Sequence, residues 1–318
     1  MKIVITGALG HIGSKLIRDI PKHLRNHQFV LIDSLITERY SSLYQLPKGI
    51  HYTFIHSDIF EIDYSNILRD TVAVIHLAAI TDAERSFDRE EEVNRINLKG
   101  TEIIARACAE NNVPLIMIST TSVYGSQECQ VDETCEKLYP QSPYASSKLK
   151  AELLLKKLSL EKGLRFVILR FGTIFGKSIG MRFHTAVNKF CWQATLKQPI
   201  SVWETAYDQH RPYLDISDAT KLIFYIIEKK YFKNETYNAV TTNATVRDIV
   251  KIISKEIGDV NVEFVNSKIM NQLSYHVVSK RIQELGFKFG GNLTKGIQET
   301  LQQLQGVRNK LPINITVN

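Results

Sequence analysis

Lys2-Ile3-Val4-Ile5-Thr6-Gly7-Ala8-Leu9-Gly10-His11-Ile12-Gly13 stands one residue in from the start of a 318-residue chain. The apolar run Lys2–Thr6 reads as a short strand. The three glycines, spaced three apart, read as the turn from it into a helix over His11–Ile20. Gly7 suits a turn too tight for a Cβ. Gly10 lets the backbone approach a pyrophosphate, and Gly13 lets the helix lie close on the sheet. Backbone N–H groups at the helix start, among them those of His11 and Ile12, then meet the phosphates at the positive end of the helix dipole. Asp33 follows Gly13 by 20 positions, at the end of a second strand. Its carboxylate can accept both hydroxyls of an adenosine ribose and repels a 2′-phosphate, which favours NAD over NADP.

Outward from this turn, short β-branched runs alternate with helical patterns, as expected of a parallel sheet covered by helices. Strands are expected at Phe29–Ile32, His51–His56, Val72–Leu77, Leu115–Ser119 and Arg165–Phe171. Helices are expected at Ile62–Arg69, Phe87–Asn112 and Pro143–Lys162. Ala73-Val74-Ile75-His76-Leu77 and Leu115-Ile116-Met117-Ile118 are nearly continuous apolar runs, as strands buried on both faces are. Asp58 and Ile59, after the third strand, are candidates for the adenine. Leu77, Ala78 and Ala79 end the fourth strand with residues small enough for a dinucleotide to lie against the backbone. His76 reads as a core histidine.

After Phe171 the pattern changes. A helix at Phe183–Lys197, a strand at Ile200–Val202, Tyr213–Asp215 and a helix at Ser217–Glu228 are expected, with Glu235–Val240 returning to the main sheet. Helices at Arg247–Ile257, Val278–Leu285 and Thr294–Leu304 complete a smaller lobe.

Tyr144-Ala145-Ser146-Ser147-Lys148 sets a phenol and an amine four apart on one helix face. A tyrosine of ordinary pKa, near 10, is about 3 units from serving as a base at neutral pH. A nearby ammonium and a positive nicotinamide ring both favour the phenolate. Tyr144 can then take a hydroxyl proton while hydride leaves the same carbon, and Lys148 can hold the nicotinamide ribose. Thr120, in Ser119-Thr120-Thr121-Ser122-Val123-Tyr124-Gly125 at the end of the fifth strand, adds a hydroxyl where an open α/β sheet binds its ligands.

Together these residues resemble the extended short-chain dehydrogenase/reductases, specifically the NAD-dependent nucleotide-sugar epimerases and dehydratases. The resemblance runs on through Asn97-Leu98-Lys99-Gly100-Thr101 and Leu169-Arg170-Phe171-Gly172-Thr173-Ile174-Phe175-Gly176. It continues through Arg211-Pro212-Tyr213-Leu214-Asp215-Ile216-Ser217-Asp218 to Leu285-Gly286-Phe287. It implies an α/β fold: a Rossmann-type doubly wound parallel sheet with a smaller C-terminal α/β substrate-binding lobe. Residues 1–172 are expected to form the NAD-binding domain, with 213–245 returning to it. Residues 173–212 and 246–318 are expected to form the substrate lobe. The family's catalytic hydroxyl lands on Thr120, beside Tyr144 and Lys148, and Asn97 is implied at the cofactor side. Arg211 matches the arginine that pairs with the substrate diphosphate. Thr173, Arg182 and Asn188 are further pocket candidates. Thr173 stands where relatives often have Asn, and Trp203-Glu204-Thr205-Ala206 replaces a glycine-rich turn.

Members resembling 4,6-dehydratases carry an Asp-Glu pair just after the catalytic threonine, and 3,5-epimerases a Cys. Here Thr121 and Ser122 follow, and neither is a competent acid or base at neutral pH. A 4-epimerase, oxidising and re-reducing one carbon through a keto-sugar, fits best. A reductase or dehydratase of the same family, or a non-catalytic NAD-binding regulator, stays open. The expected partner is a nucleotide-diphosphate sugar, and the family's paired helices imply a homodimer.

Composition agrees with a globular chain, 44% hydrophobic and 23% charged. The net charge of +7 is scattered, with no basic run that marks a nucleic-acid surface. No signal peptide or membrane span is read, so the expected place is the cytoplasm. Cys108, Cys129, Cys135 and Cys191 have no metal spacing and are expected as free thiols, with no metal bound.

Overall fold

A computed structural model describes residues 1–127, 130–265 and 275–306. Strands β1 (Lys2–Thr6), β2 (Gln28–Asp33), β3 (His51–His56), β4 (Thr71–His76) and β5 (Leu115–Thr120) come first. They alternate with helices α1 (His11–His23), α2 (Tyr64–Ile67), α3 (Glu90–Val93) and α4 (Gly100–Glu110). Next come β6 (Gln130–Val131), α5 (Pro143–Lys162), β7 (Phe166–Phe171) and β8 (Thr173–Phe175). They lead to α6 (Ala186–Thr195), β9 (Ile200–Trp203), β10 (His210–Asp215), α7 (Ile216–Lys229), β11 (Glu235–Ala239) and β12 (Thr242–Thr245). The last are α8 (Val246–Ile257), β13 (Val262–Val265), β14 (His276–Val277), α9 (Lys280–Glu284) and α10 (Leu293–Gln303).

The main sheet runs β3-β2-β1-β4-β5-β7-β11, and every pairing in it is parallel. This is the doubly wound order, in which strand succession reverses between β1 and β4, and ligands bind beyond the strand ends there. The apolar runs are buried because helices cover both faces. Ile5 and Ile116 pack with Leu16 and Ile17 of α1 and Leu222 and Ile226 of α7. On the other face Val74 and Met117 pack with Ile104 and Cys108 of α4 and Leu155 of α5. β11 joins the β7 edge, Glu235 opposite Val167, so the segment expected at Glu235–Val240 does return to the main sheet. A second sheet, β12-β10-β8, and the β9–β13 pair flank a separate core around Phe175, Phe190, Ile200, Ile249 and Ile297.

Two expected helices are altered for identifiable reasons. The one at Phe87–Asn112 is α3 and α4 joined by a π-helical turn, Asn94–Lys99. Within that turn Asn97 reaches out to the Ile80 backbone, and π-turns commonly mark such functional irregularities. The helix expected from Phe183 starts only at Ala186. The preceding segment is pinned to the glycine turn, where the Gly180 N–H donates to Ser14 Oγ at 2.9 Å. By contrast α5 has the expected bounds. Pro143 opens it, the Ser142 hydroxyl caps it by accepting from the Ala145 N–H, and Gly163 at φ +69° ends it.

Gly7 has φ +65°, and a Cβ there would lie 2.5 Å from the Ala78 nitrogen. Relief would require the β1 and β4 ends to part. Gly7→Ala is expected to cost about 2 kcal/mol or more, from left-handed strain and displaced backbone together. A thermal melt that superimposes on that of the wild type would contradict it.

Among the described residues no helix is long and apolar enough to cross a membrane, and no cluster of His, Cys, Asp or Glu is arranged to hold a metal ion. Cys108, Cys135 and Cys191 are free thiols, and Cys129 lies outside the described residues.

Candidate active site

A cleft of about 640 Å³ opens at the carboxyl ends of the main-sheet strands and continues under β8, α6, β9 and β10. Gly7, Gly10, His11, Ile12 and Gly13 form one wall of it, with Asp33, Asp58, Ile59, Leu77, Ala78 and Ala79. Gly10 caps α1 without any side-chain bond, so the first N–H groups of the helix stay available to a ligand. Asp33 Oδ2 accepts from the Leu9 N–H and Oδ1 from the Leu35 N–H, each at 2.9 Å. These bonds fix the carboxylate while each oxygen keeps a further lone pair for a ribose hydroxyl. Asp58 also caps its own turn, accepting from the Phe60 N–H at 3.2 Å. His76 is a core residue, bonded to Thr6 and Thr101.

Thr120, Tyr144 and Lys148 meet on the far side of the same cleft. The Thr120 side chain neighbours the Tyr144 phenol closely enough to favour its ionised form. The Thr120 hydroxyl also lies 3.1 Å from both the Ser122 hydroxyl, to which it donates, and the Ser122 N–H, from which it accepts. Thr121 is turned away, its hydroxyl donating to the Phe171 carbonyl. Ser119 is occupied too, donating to Glu152 Oε1 at 2.5 Å. Glu152, one turn beyond Lys148, is taken by Arg170 at 2.6 Å, so this nearest carboxylate leaves the ammonium free. Tyr124 is packing: it is fully buried, and its hydroxyl donates to Asn238 Oδ1.

Burial acts against the phenolate. Burial, the largest influence, pushes the Tyr144 phenol up to about 12, and the cation opposing this is Arg182. Burial likewise pushes Lys148 down to about 8, with Glu152 opposing. An ammonium four residues along therefore does not by itself acidify the phenol, because desolvation of both groups outweighs it.

Two candidates do not reach the cleft. Asn97 is fully buried and its amide is used up: Oδ1 accepts from the Ile80 N–H, and Nδ2 donates to the Ile80 carbonyl and to Ser147 Oγ. It is a clamp on the segment after β4, not a cofactor ligand. Asn188 is also fully buried, and its Nδ2 donates to the Arg182 carbonyl at 3.0 Å. It holds the Arg182 segment in place instead of forming the wall. Thr173, Arg182 and Arg211 do line the cleft.

Trp203, at the end of β9 in the segment that replaces a glycine-rich turn, also lines it; sequence reading missed Arg39, His184 and Tyr275, which do so too. Arg39, six positions after Asp33, carried a usable signal. The others are brought in by loop paths that no local pattern specifies.

Among the described residues, Arg39 Nη1, Arg182 Nε, Arg211 Nη2 and His11 Nε2 are buried without a hydrogen-bond partner, and all four residues line this cleft. Unpaired guanidinium nitrogens are costly when buried. Their convergence calls for anionic acceptors such as phosphates. With the glycine cradle and Asp33, this is a cleft that fits a dinucleotide and has cationic capacity to spare.

The profile of the NAD dependent epimerase/dehydratase family matches residues 3–239. The chain belongs to this family. It is accordingly an NAD-dependent enzyme. It is 28% identical to YtcB of Bacillus subtilis (strain 168), an uncharacterized UDP-glucose epimerase, across 96% of this chain and 99% of that one. It is 27% identical to the human dTDP-D-glucose 4,6-dehydratase, over 95% of this chain and 89% of that one. Its fold matches the crystal structure of UDP-glucuronic acid 4-epimerase from Bacillus cereus in complex with UDP-glucuronic acid and NAD. The TM-score is 0.85 at 27% identity, covering 96% and 99% of the two chains.

Because Asp33 has both oxygens anchored, its truncation removes a preset acceptor. Asp33→Ala is expected to weaken NAD about tenfold or more and to narrow its advantage over NADP. Calorimetric titration with both dinucleotides checks this, and an unchanged ratio of affinities would remove the ribose contact.

Proposed function

We propose that this enzyme is a nucleotide-sugar 4-epimerase, carried by one observation: a Thr120–Tyr144–Lys148 set in which no acid follows the threonine. The positions after Thr120 hold Thr121, turned on a carbonyl, and Ser122, bonded to Thr120 itself. Neither can expel water from a sugar or deprotonate a ring carbon. NAD, held by Gly7, Gly10, His11, Ile12, Gly13 and Asp33, supplies a reversible hydride acceptor. Tyr144 takes the proton of the sugar hydroxyl as the adjacent C–H bond breaks. It returns the proton when that bond re-forms on the other face of the turned keto-sugar. Thr120 orients the reacting oxygen, and Lys148 holds the nicotinamide ribose and compensates the phenolate charge. Arg211 and Arg182 take the diphosphate, with Thr173 beside the sugar, and Asp58, Ile59, Leu77, Ala78 and Ala79 line the cofactor side. Residues 1–172 with α7 and β11 form the cofactor domain in this reading and 173–212 with 246–306 the substrate lobe; of the stretch 213–245, the end of β10 and all of β12 pair in the second sheet beside that lobe.

The similar proteins named for UDP-sugars make these the first substrates to try. Purified protein is incubated with UDP-, dTDP-, GDP- and CDP-sugars, and products are followed by NMR. A mixture of C4 epimers with no net NADH is expected. A 4-keto-6-deoxy sugar, or stoichiometric consumption of reduced cofactor, would replace the proposal with a dehydratase or a reductase. We read the enzyme as cytoplasmic, with a small-molecule substrate and not nucleic acid as its partner. We also read it as a homodimer through α4 and α5, whose outward Leu153 and Leu160 are 57% and 90% exposed. Light scattering should give twice the chain mass, and a monomeric mass would overturn this.

A further inference from the structure

We propose that the His11 imidazole is itself a ligand of the NAD pyrophosphate, donating from Nε2, and that Ser178 selects the tautomer that makes it a donor. His11 Nδ1 lies 2.7 Å from Ser178 Oγ. Nε2 is buried without a partner, in a residue that lines the dinucleotide cleft. The cations that act on it, Arg182 and Arg39, line the same cleft, as does His184. A ring in that company, and deprived of water, stays neutral: burial first, then those cations, push His11 down to about 3. A neutral imidazole carries one N–H, and its position is set by the bond the other nitrogen makes.

Ser178 decides that position. It is buried, and its hydroxyl has no other partner among the described residues. If Nδ1 carried the proton, the serine proton would be left without an acceptor, and Nε2 would turn a lone pair toward phosphate oxygens. If Ser178 donates to Nδ1, every group is satisfied and Nε2–H is presented to the anion. At this helix start the backbone N–H groups then act together with one neutral side-chain donor, while Arg39 and Arg182 supply charge.

The arrangement has a second consequence. Ser178 and Gly180 tie the segment after β8 to the glycine turn. The Gly180 N–H bonds Ser14 Oγ, and a Cβ on Gly180 would sit 2.5 Å from the Leu9 carbonyl oxygen. That segment leads to Arg182. His11 thus links the cofactor phosphates to the chain carrying an arginine of the substrate side.

The test is titration of the NAD-stripped full-length protein with NAD, using His11→Phe, His11→Gln and Ser178→Ala. His11→Phe is expected to weaken NAD about tenfold, the size of one hydrogen bond to a charged group. His11→Gln, which keeps a side-chain N–H, should recover most of the loss, and Ser178→Ala should lose roughly threefold. Nitrogen-15 NMR of the wild-type ring should show a protonated Nε2 and an unprotonated Nδ1, with the Nε2 signal moving when NAD is added. NAD binding as tight in His11→Phe as in the wild type overturns the proposal. So does a ring protonated at Nδ1, which is read without any variant. The proposal rests on the cofactor and not on the sugar, so failure of the sugar panel leaves it standing, and its own failure leaves the 4-epimerase reading intact.

Discussion

Tyr144→Phe lowers turnover by about 10³-fold while leaving the fold and the bound NAD in place. The phenyl ring keeps the packing, so only the oxygen is lost. That oxygen, beside Thr120, can both accept and return a proton, and general acid–base catalysis is worth roughly 10²–10⁴-fold. The glycine cradle and Asp33, which hold the cofactor in this reading, are untouched by the substitution. The measurement is epimer exchange by NMR at saturating substrate, with NAD quantified after denaturing the protein. Turnover within tenfold of the wild type, at full NAD content, would remove Tyr144 from its role. A loss of NAD in parallel with activity would make it a cofactor anchor instead.

The first 20 residues made the cofactor half legible, because a strand, a glycine turn and a helix are local events with local causes. Pro143 and Gly163 bounded α5 for the same reason. The parallel order followed from strands buried on both faces. The Tyr144–Lys148 pair was legible because residues four apart on a helix share a face. What local pattern did not carry was side-chain direction over longer distances. Asn97 is drawn away from the cleft by a π-helical turn, and Asn188 by a carbonyl six residues back. His11 and Ser178 meet across 167 positions, which no spacing rule anticipates. The sign of the Tyr144 shift was also out of reach, because burial depends on the assembled cleft and an i, i+4 ammonium does not.

That sign leads to the second large effect. With the phenol held near 12 and the ammonium near 8, the reactive state, phenolate beside ammonium, has one proton fewer than the fully protonated pair. The first proton leaves the pair near the lower value, and the phenolate–ammonium state has the same proton count as the state so formed, so turnover rises with pH through that step. A positive nicotinamide ring nearby favours loss of that proton, so in the loaded enzyme the limb falls at or below about 8. Lys148→Met removes the group that titrates there and leaves a buried phenol without a compensating charge. Its acid limb should move upward by more than 1 pH unit, toward the range of the phenol, and turnover at pH 7.5 should fall about 10²–10³-fold. The pH profile of kcat for the two proteins decides it. A limb that stays in place while kcat drops would mean that Lys148 serves only to hold the ribose, and the proton chemistry would rest on Tyr144 and Arg182 alone.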